Sequence, residues 1–328
     1  MKKVASVAYA GVLLLLIAAP FIGLYPIFVM TVLCFALFAC AFNLLLGYTG
    51  LLSFGHAAFL GGSAYVTGYL LKVWHLTPEI GLLAGILVGA LLGLVFGWLA
   101  IRRQGIYFAM ITLALAQMMY FIALQAPFTH GEDGLQAVPR GKLFGVIDLR
   151  DDLTMYYVTL VIVVAAFLLI ARTIHSPFGQ VLKGIKENEP RAVSLGYDVD
   201  RFKLLAFVIS AAISGLAGSL KTLVLGFATL TDMHWTSSGH VILMTLVGGL
   251  GTLSGPLVGS AVVVLLENKV GDFGSFIAEL TGIDWFNTLG ESVTMVTGLI
   301  FVICVLVFRR GVMGEIIAFI ERRRARQG

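Results

Sequence analysis

At 328 residues, 59% hydrophobic and only 12% charged, with a mean hydropathy of +0.97, this chain lacks the charge that wets a soluble surface; an ordinary globular domain carries about 25% charged residues. The formal charge of +4 is scattered between apolar runs rather than gathered on one domain, which excludes a nucleic-acid footprint. Cys34, Cys40 and Cys304 each lie inside an apolar run, with neither the number nor the spacing for a metal site or a disulfide framework, and read as small packing residues.

Uncharged runs recur along the chain, each near the ~20 residues that cross ~30 Å of hydrocarbon. They predict an all-α fold, a polytopic transmembrane helical bundle over 1–328, with about 8 full crossings plus Gly-broken or re-entrant half-helices. Met1-Lys2-Lys3 and the apolar stretch Val4 to Tyr25 share features with a secretory leader. The stretch is too long for a leader core and Ala18-Ala19-Pro20 is a poor cleavage site, so 4–25 is expected to be a retained span. Further spans are expected at 27–46, 52–71, 81–101, 105–125, 153–171, 204–222, 240–266 and 291–308. Within the fourth, Gly81, Gly85, Gly89, Gly93 and Gly97 recur every fourth residue and line one helix face. Such a groove lets a neighbouring backbone approach closely, and reads as packing rather than chemistry.

Orientation follows from Lys and Arg. Lys2-Lys3, the turn Arg102-Arg103, the loop 172–203 and the tail 309–328 hold 16 of the 22 basic residues and 6 of the 18 acidic ones. The positive-inside rule therefore puts these segments, and both termini, in the cytoplasm. Nine full crossings would put the tail outside. The sequence from Gly248 to Pro256, with glycines at 248, 249, 251 and 255, breaks the 240–266 span. Two short halves entering and leaving by one face restore an even number of crossings and leave 268–290 outside. Irregular backbone at membrane depth survives only against protein or a water-filled cavity, so the break is a candidate for a transport route.

A second break supports this. Gly47-Tyr48-Thr49-Gly50-Leu51-Leu52-Ser53 and Gly248-Gly249-Leu250-Gly251-Thr252-Leu253-Ser254 share the pattern G-x-x-G-x-L-S. Paired glycine interruptions in two halves of a transporter point to a central site; duplication and chance both account for the match. Asn43, His56 and Gln117 stand out as amide and imidazole side chains inside spans, and His56, in Ser53-Phe54-Gly55-His56, reads first as a hydrogen-bonded packing residue. No Asp, Glu, Lys or Arg is expected near the centre of a span, which argues against an ion-driven relay. Gly215 to Thr222 approximates a phosphate loop but lacks the glycine before Lys221 and ends an apolar helix, so it is rejected. No catalytic or metal constellation stands out.

The loop 172–203 is longer than a plain connector, typically 2–8 residues. Val181, Leu182 and Ile185 alternate with charge, and Pro190 starts a short helix that Gly196 ends. Its amphipathic pieces predict docking to a cytoplasmic partner; a basic loop lying on anionic lipid is the competing account.

Gly184-Ile185-Lys186-Glu187-Asn188-Glu189 with Ala192, Gly196, Phe207 and Ser214 to Gly218 resembles the cytoplasmic-loop signature of branched-chain amino-acid ABC-importer permeases. So do Asn43 to His56 and Gly248 to Pro256, and the likeness runs from about residue 35 to 314, closest to the larger of that system's two permease subunits. Thr129-His130-Gly131-Glu132-Asp133-Gly134-Leu135 resembles the family's external T-G-G-x-x-G-L, with His130 in place of a glycine.

The resemblance implies a permease subunit without catalysis or cofactor. It implies as partners a second homologous permease, two cytoplasmic ATPase subunits and a periplasmic or extracellular substrate-binding protein. It places the chain in the bacterial cytoplasmic membrane. Asn43, Gly47, Gly50, Ser53, Gly55, His56, Gly248, Gly249, Gly251, Ser254 and Gly255 are then candidates for the translocation pathway. Gly184, Glu187, Asn188, Glu189, Arg191, Ala192 and Gly196 are candidates for ATPase coupling, and Thr129, Gly131, Asp133 and Gly134 for an external loop near the substrate entrance. An ATP-independent carrier or channel for a small polar solute is the alternative, since Gly-broken half-helices serve it equally well.

Overall fold

The structure, a computed structural model, describes residues 11–281, 298–299, 302 and 311–315, and from 270 to 281 the backbone course alone. The expected span 291–308, most of the tail 309–328 and Cys304 lie outside the described residues.

The chain is a helical bundle. A short apolar helix, Gly11–Ile22, precedes α1 (Pro26–Thr49), α2 (His56–Lys72), α3 (Pro78–Ala100) and α4 (Ile106–Gln125). After a small hairpin, β1 (Lys142–Leu143) with β2 (Ile147–Asp148), come α5 (Asp152–His175), α6 (Pro177–Glu187), α7 (Glu189–Ser194), α8 (Val199–Leu225), α9 (Trp235–Gly248) and α10 (Gly255–Thr281). Helices α1, α3, α4, α5 and α8 are long and apolar enough to cross a membrane. Their ends follow local chemistry. Pro26 and Pro78 sit in first turns, where a missing N–H costs nothing, and Asp151 caps α5 by accepting from Thr154 N.

Helix α1 is the central post, buried along most of its length and packed against α5, α6, α8, α9 and α10. The tightest seam joins α3 to α8. Gly81, Gly85, Gly89, Gly93 and Gly97 are all buried, and a Cβ on Gly89 would sit 2.5 Å from Ala211 O. Gly215 answers from α8, where a Cβ would sit 2.5 Å from Gly85 O. Polar links from α2 flank this seam: Ser63 Oγ lies 2.8 Å from Gly85 O, and Thr67 Oγ1 lies 2.9 Å from Gly81 O on α3 and 2.8 Å from Ser219 Oγ on α8. Without a hydrophobic drive between helices in lipid, close backbone packing and such bonds hold the bundle.

The two ends of the bundle are distinct. At one, α6 meets the last turn of α1. At the other, Lys72 donates to Gln136 O, and Leu135 pairs with Ala228 beyond the end of α8. From Ala228 the chain turns back into the bundle, placing Met233 against Gly61 and Ser238 against Phe54 and Ala57, before α9 runs on to the α6 end.

Three expectations are corrected. The span expected at 52–71 starts at His56, because residues 50–55 carry no regular structure and climb from the end of α1 back to the level of Phe42, whose ring lies 4.9 Å from that of His56. The span 240–266 is not two short halves, because only the first is short. Helix α9 has 14 residues, about 21 Å, too short to cross, whereas α10 has 27, about 40 Å. They pack as an antiparallel pair, with a Cβ on Gly259 approaching the backbone of Met244 and Gly248. Finally, Glu267 lies midway along α10, with its carboxylate 3.2 Å from His240 Nδ1, so a charged side chain does stand near the centre of a long helix.

Candidate functional site

The two glycine breaks, far apart in sequence, meet at the α6 end of the bundle. Asn43 makes the junction: its amide nitrogen donates to Thr252 O at 2.9 Å and its oxygen accepts from Gly251 N at 3.0 Å. Gly47, one turn on, brings the α1 backbone against the same strand of chain, so that a Cβ there would sit 2.9 Å from Gly251 N. Gly251 itself has φ +72°, the left-handed region that a side chain resists. Thr252 closes the turn, donating to Gly249 O at 2.8 Å and accepting from Gly255 N at 3.1 Å.

The first break is satisfied from its flanks. Phe54 N donates to Thr112 Oγ1 at 3.1 Å, Ser238 Oγ donates to Phe54 O at 2.7 Å, and Gly55 N donates to Ser53 Oγ at 3.1 Å. Irregular backbone inside the bundle is thus paired with protein. Beside it a cavity of about 480 Å³ opens between Gly50, Leu52 and Phe54 on one wall and Gly105, Ile106 and Met110 on the other.

The expected pathway residues divide into groups. Asn43, Gly47 and Gly251 form the junction, and Gly50 lines the cavity. Gly248, Gly249 and Gly255 belong to the α9–α10 turn, with Gly248 pressed against Gly255, and Ser254 lies in the same turn. Ser53, Gly55 and His56 are buried in the core. His56 is fully enclosed, its Nε2 2.9 Å from Ser210 Oγ and its ring edge-on to Phe42, Phe59 and Phe207. Ser210 in turn donates to Ala41 O at 2.6 Å, so this histidine fastens α2 to α8 and α1.

A compact module caps the junction. Helix α6 presents Leu182 and Ile185 inward, and Ile185, Ala192 and Val199 form a small core with Val181 and Phe202. Asn188 caps α7 by accepting from Arg191 N at 3.1 Å, and Gly196 follows that helix at φ +86°. The short helix expected from Pro190 to Gly196 is therefore present, started one residue earlier by this cap. Glu189 is held within the chain, accepting from Lys203 Nζ at 2.6 Å and Gln104 Nε2 at 2.9 Å. A groove of about 350 Å³, lined by Gly184, Glu187, Asn188, Arg191, Ala192 and neighbours, opens away from the bundle. Val193, Leu195 and Tyr197 are exposed beside it.

Lys186 links module and junction, and the sequence pattern left it unassigned. Its Nζ donates to Gly47 O at 2.7 Å and lies 4.0 Å from the position of a Cβ on Gly251. One turn away, Lys183 Nζ sits 5.7 Å from the centroid of the Tyr48 ring. Two cations at the carboxyl end of α1 complement its dipole. Their place in a helical stretch of alternating charge and apolar residues was the available signal.

In the external segment, Thr129 is buried and donates to Ala123 O and to Ala126 O, while Gly134 abuts Ala228. His130 has φ +59°, which gives the family's glycine at this place a conformational reason. Gly131 is partly buried and Asp133 is exposed.

A family profile described as "Branched-chain amino acid transport system / permease component" matches residues 25–308. The high-affinity branched-chain amino acid transport system permease protein LivM of Escherichia coli is 27% identical over 303 residues, covering 83% of this chain and 70% of that protein, and its Salmonella typhimurium counterpart matches equally. A probable branched-chain amino acid transport permease protein LivM of Methanocaldococcus jannaschii is 24% identical, covering 64% of this chain and 63% of that protein.

Proposed function

This chain belongs to the family of branched-chain amino acid transport system permease components, a family of transport permeases rather than enzymes, and from that premise we propose that it is one of two permease subunits of an ABC importer. It sits in the bacterial cytoplasmic membrane with both termini inside, and with the second permease it encloses the route for a branched-chain or related amino acid. A binding protein delivers the substrate from outside, and two ATPase subunits dock on the module α6–α7.

The observation that carries this reading is the bond from Lys186 Nζ to Gly47 O. It ties a surface module with an open groove to the meeting point of two helix breaks. Docking in the groove at Gly184, Glu187 and Arg191 moves α6, and α6 moves the Asn43–Gly251 junction beneath it. Irregular, glycine-rich backbone yields there more readily than helix. Gly50 and Gly251 border the route in this account; His56, Ser53 and Gly55 hold its frame.

Copurification from tagged chain, followed by reconstitution, tests the proposal. Two cytoplasmic ATPases are expected in the complex, and Arg191→Glu and Gly196→Val are expected to lower substrate-stimulated ATP hydrolysis and uptake together, in neutral as in anionic lipid. Full activity of both variants in neutral lipid would remove the docking role. A second reading, a carrier without ATPases, draws support from His240 and Glu267 at mid-bundle, because intramembrane ionisable pairs serve proton relays. It expects uptake to collapse with the proton gradient and to persist without ATP.

A further inference from the structure

Away from the junction, three polar groups converge inside the half of the bundle nearer the β hairpin. Lys221 of α8 and Asp232, in the segment that turns back into the bundle, form an ion pair with side chains only 10% and 9% exposed. Asp232 also accepts from Thr229 N at 3.4 Å, which fixes its carboxylate on that segment. The Lys221 ammonium lies 5.6 Å from the centroid of the Phe35 ring. The third group is Tyr65 of α2. It is 2% exposed, and its hydroxyl has no hydrogen-bond partner. Gly61, one turn before it, receives the Asp232–Met233 backbone so closely that a Cβ would sit 3.0 Å from the Asp232 carbonyl carbon.

A structural tie between α8 and this segment needs the ion pair, and not an orphan hydroxyl beside it. Buried polar groups are almost always paired, and an exception calls for an explanation. A buried cation, a buried anion and a free donor together are what the charged end of an α-amino acid requires. A neutral solute needs neither charge.

We propose that Lys221, Asp232 and Tyr65 form a subsite for the zwitterionic end of an α-amino acid. The carboxylate takes the Lys221 ammonium and the Tyr65 hydroxyl, and the substrate ammonium takes Asp232. Without substrate, Lys221 and Asp232 compensate each other, so the charges are never left bare. Phe35 beside the Lys221 ammonium, and Leu230 and Met233, buried in the same segment as Asp232, make the surroundings apolar. The subsite rests on the amino-acid permease reading and adds to it the residues that hold the cargo.

The test uses the complete importer, with both permeases, the ATPases and the binding protein, in proteoliposomes with labelled leucine. Tyr65→Phe removes only the orphan hydroxyl, so a purely structural role predicts unchanged assembly, thermal midpoint and uptake. The subsite predicts unchanged assembly and midpoint with uptake lowered about tenfold or more, the worth of a hydrogen bond to a charged group. The pair replacement Lys221→Met with Asp232→Leu keeps the volume apolar, a change that folded proteins often tolerate; it is expected to assemble and to transport no leucine. Wild-type uptake by either variant overturns the subsite. A wild-type complex that moves no leucine sinks the permease reading instead, which keeps the two failures apart.

Discussion

The amide of Asn43 satisfies an N–H and a C=O of a segment more than 200 residues away, from a side chain that is itself buried. Replacement by Leu keeps the volume and strands both backbone groups, each worth about 1–3 kcal/mol when buried without a partner. Asn43→Leu is therefore expected to lower the thermal midpoint of the purified chain clearly, as read by a fluorescence-detected melt. Lys186→Met should differ in kind. The aliphatic stem still packs, so the complex assembles, and the expected outcome is ATP hydrolysis that no longer follows substrate. Hydrolysis and uptake that stay matched would exclude Lys186 from coupling. His130 supplies a third residue-scale test: relief of its left-handed backbone in His130→Gly should stabilise by up to about 1 kcal/mol. Of these residues, Asn43 and His130 were visible in the sequence, one as a polar side chain in a span and one as a departure from a glycine pattern. Lys186 was not, because a lysine in a basic loop looks solvated until the fold supplies its acceptor.

At the scale of elements, the glycine ladder of α3 was legible because every fourth residue lies on one face, and the structure sets that face on α8. Gly89→Leu would drive four carbons into the α8 backbone at Ala211, so the variant is expected to be lost from the membrane fraction. Persistence at wild-type level would mean that the seam opens at little cost. Gly196→Val is the contrasting case. Nothing lies within 4 Å of a Cβ there, so the variant faces only the left-handed backbone, a cost of roughly 1–2 kcal/mol borne by α7 alone. Protein level should hold while coupling falls. Both helix breaks were also legible, through glycine and proline in apolar runs. Their meeting was not, since a shared pattern does not reveal that one asparagine spans both. The unequal lengths of α9 and α10 escaped too: the apolar run faded near residue 266, and Glu267 read as loop when it is helix.

For the whole molecule, α10 leaves the junction and runs away from the module that carries Ser194. Cysteines introduced at Ser194 and Ser275 should accordingly be labelled by an impermeant reagent from opposite faces of the membrane. Labelling from one face would break the topology proposed above, which the positive-inside count alone could suggest but not place in three dimensions. The α3–α8 seam has a consequence of another sort, in time. About 100 residues separate Ala100 from Val199, so at 5–20 residues per second α3 waits on the order of 5–20 s for its partner to leave the ribosome. Throughout that interval the face of α3 that meets α8 is left to lipid or the insertion machinery, and the nascent protein is held together by the contacts of α2 with α3 and of α1 with α5. Biogenesis thus has an exposed middle stage, at which quality-control proteases meet a half-built bundle. A chain ending after His175 stays at that stage permanently; in pulse–chase it should vanish within minutes, where the full-length protein endures.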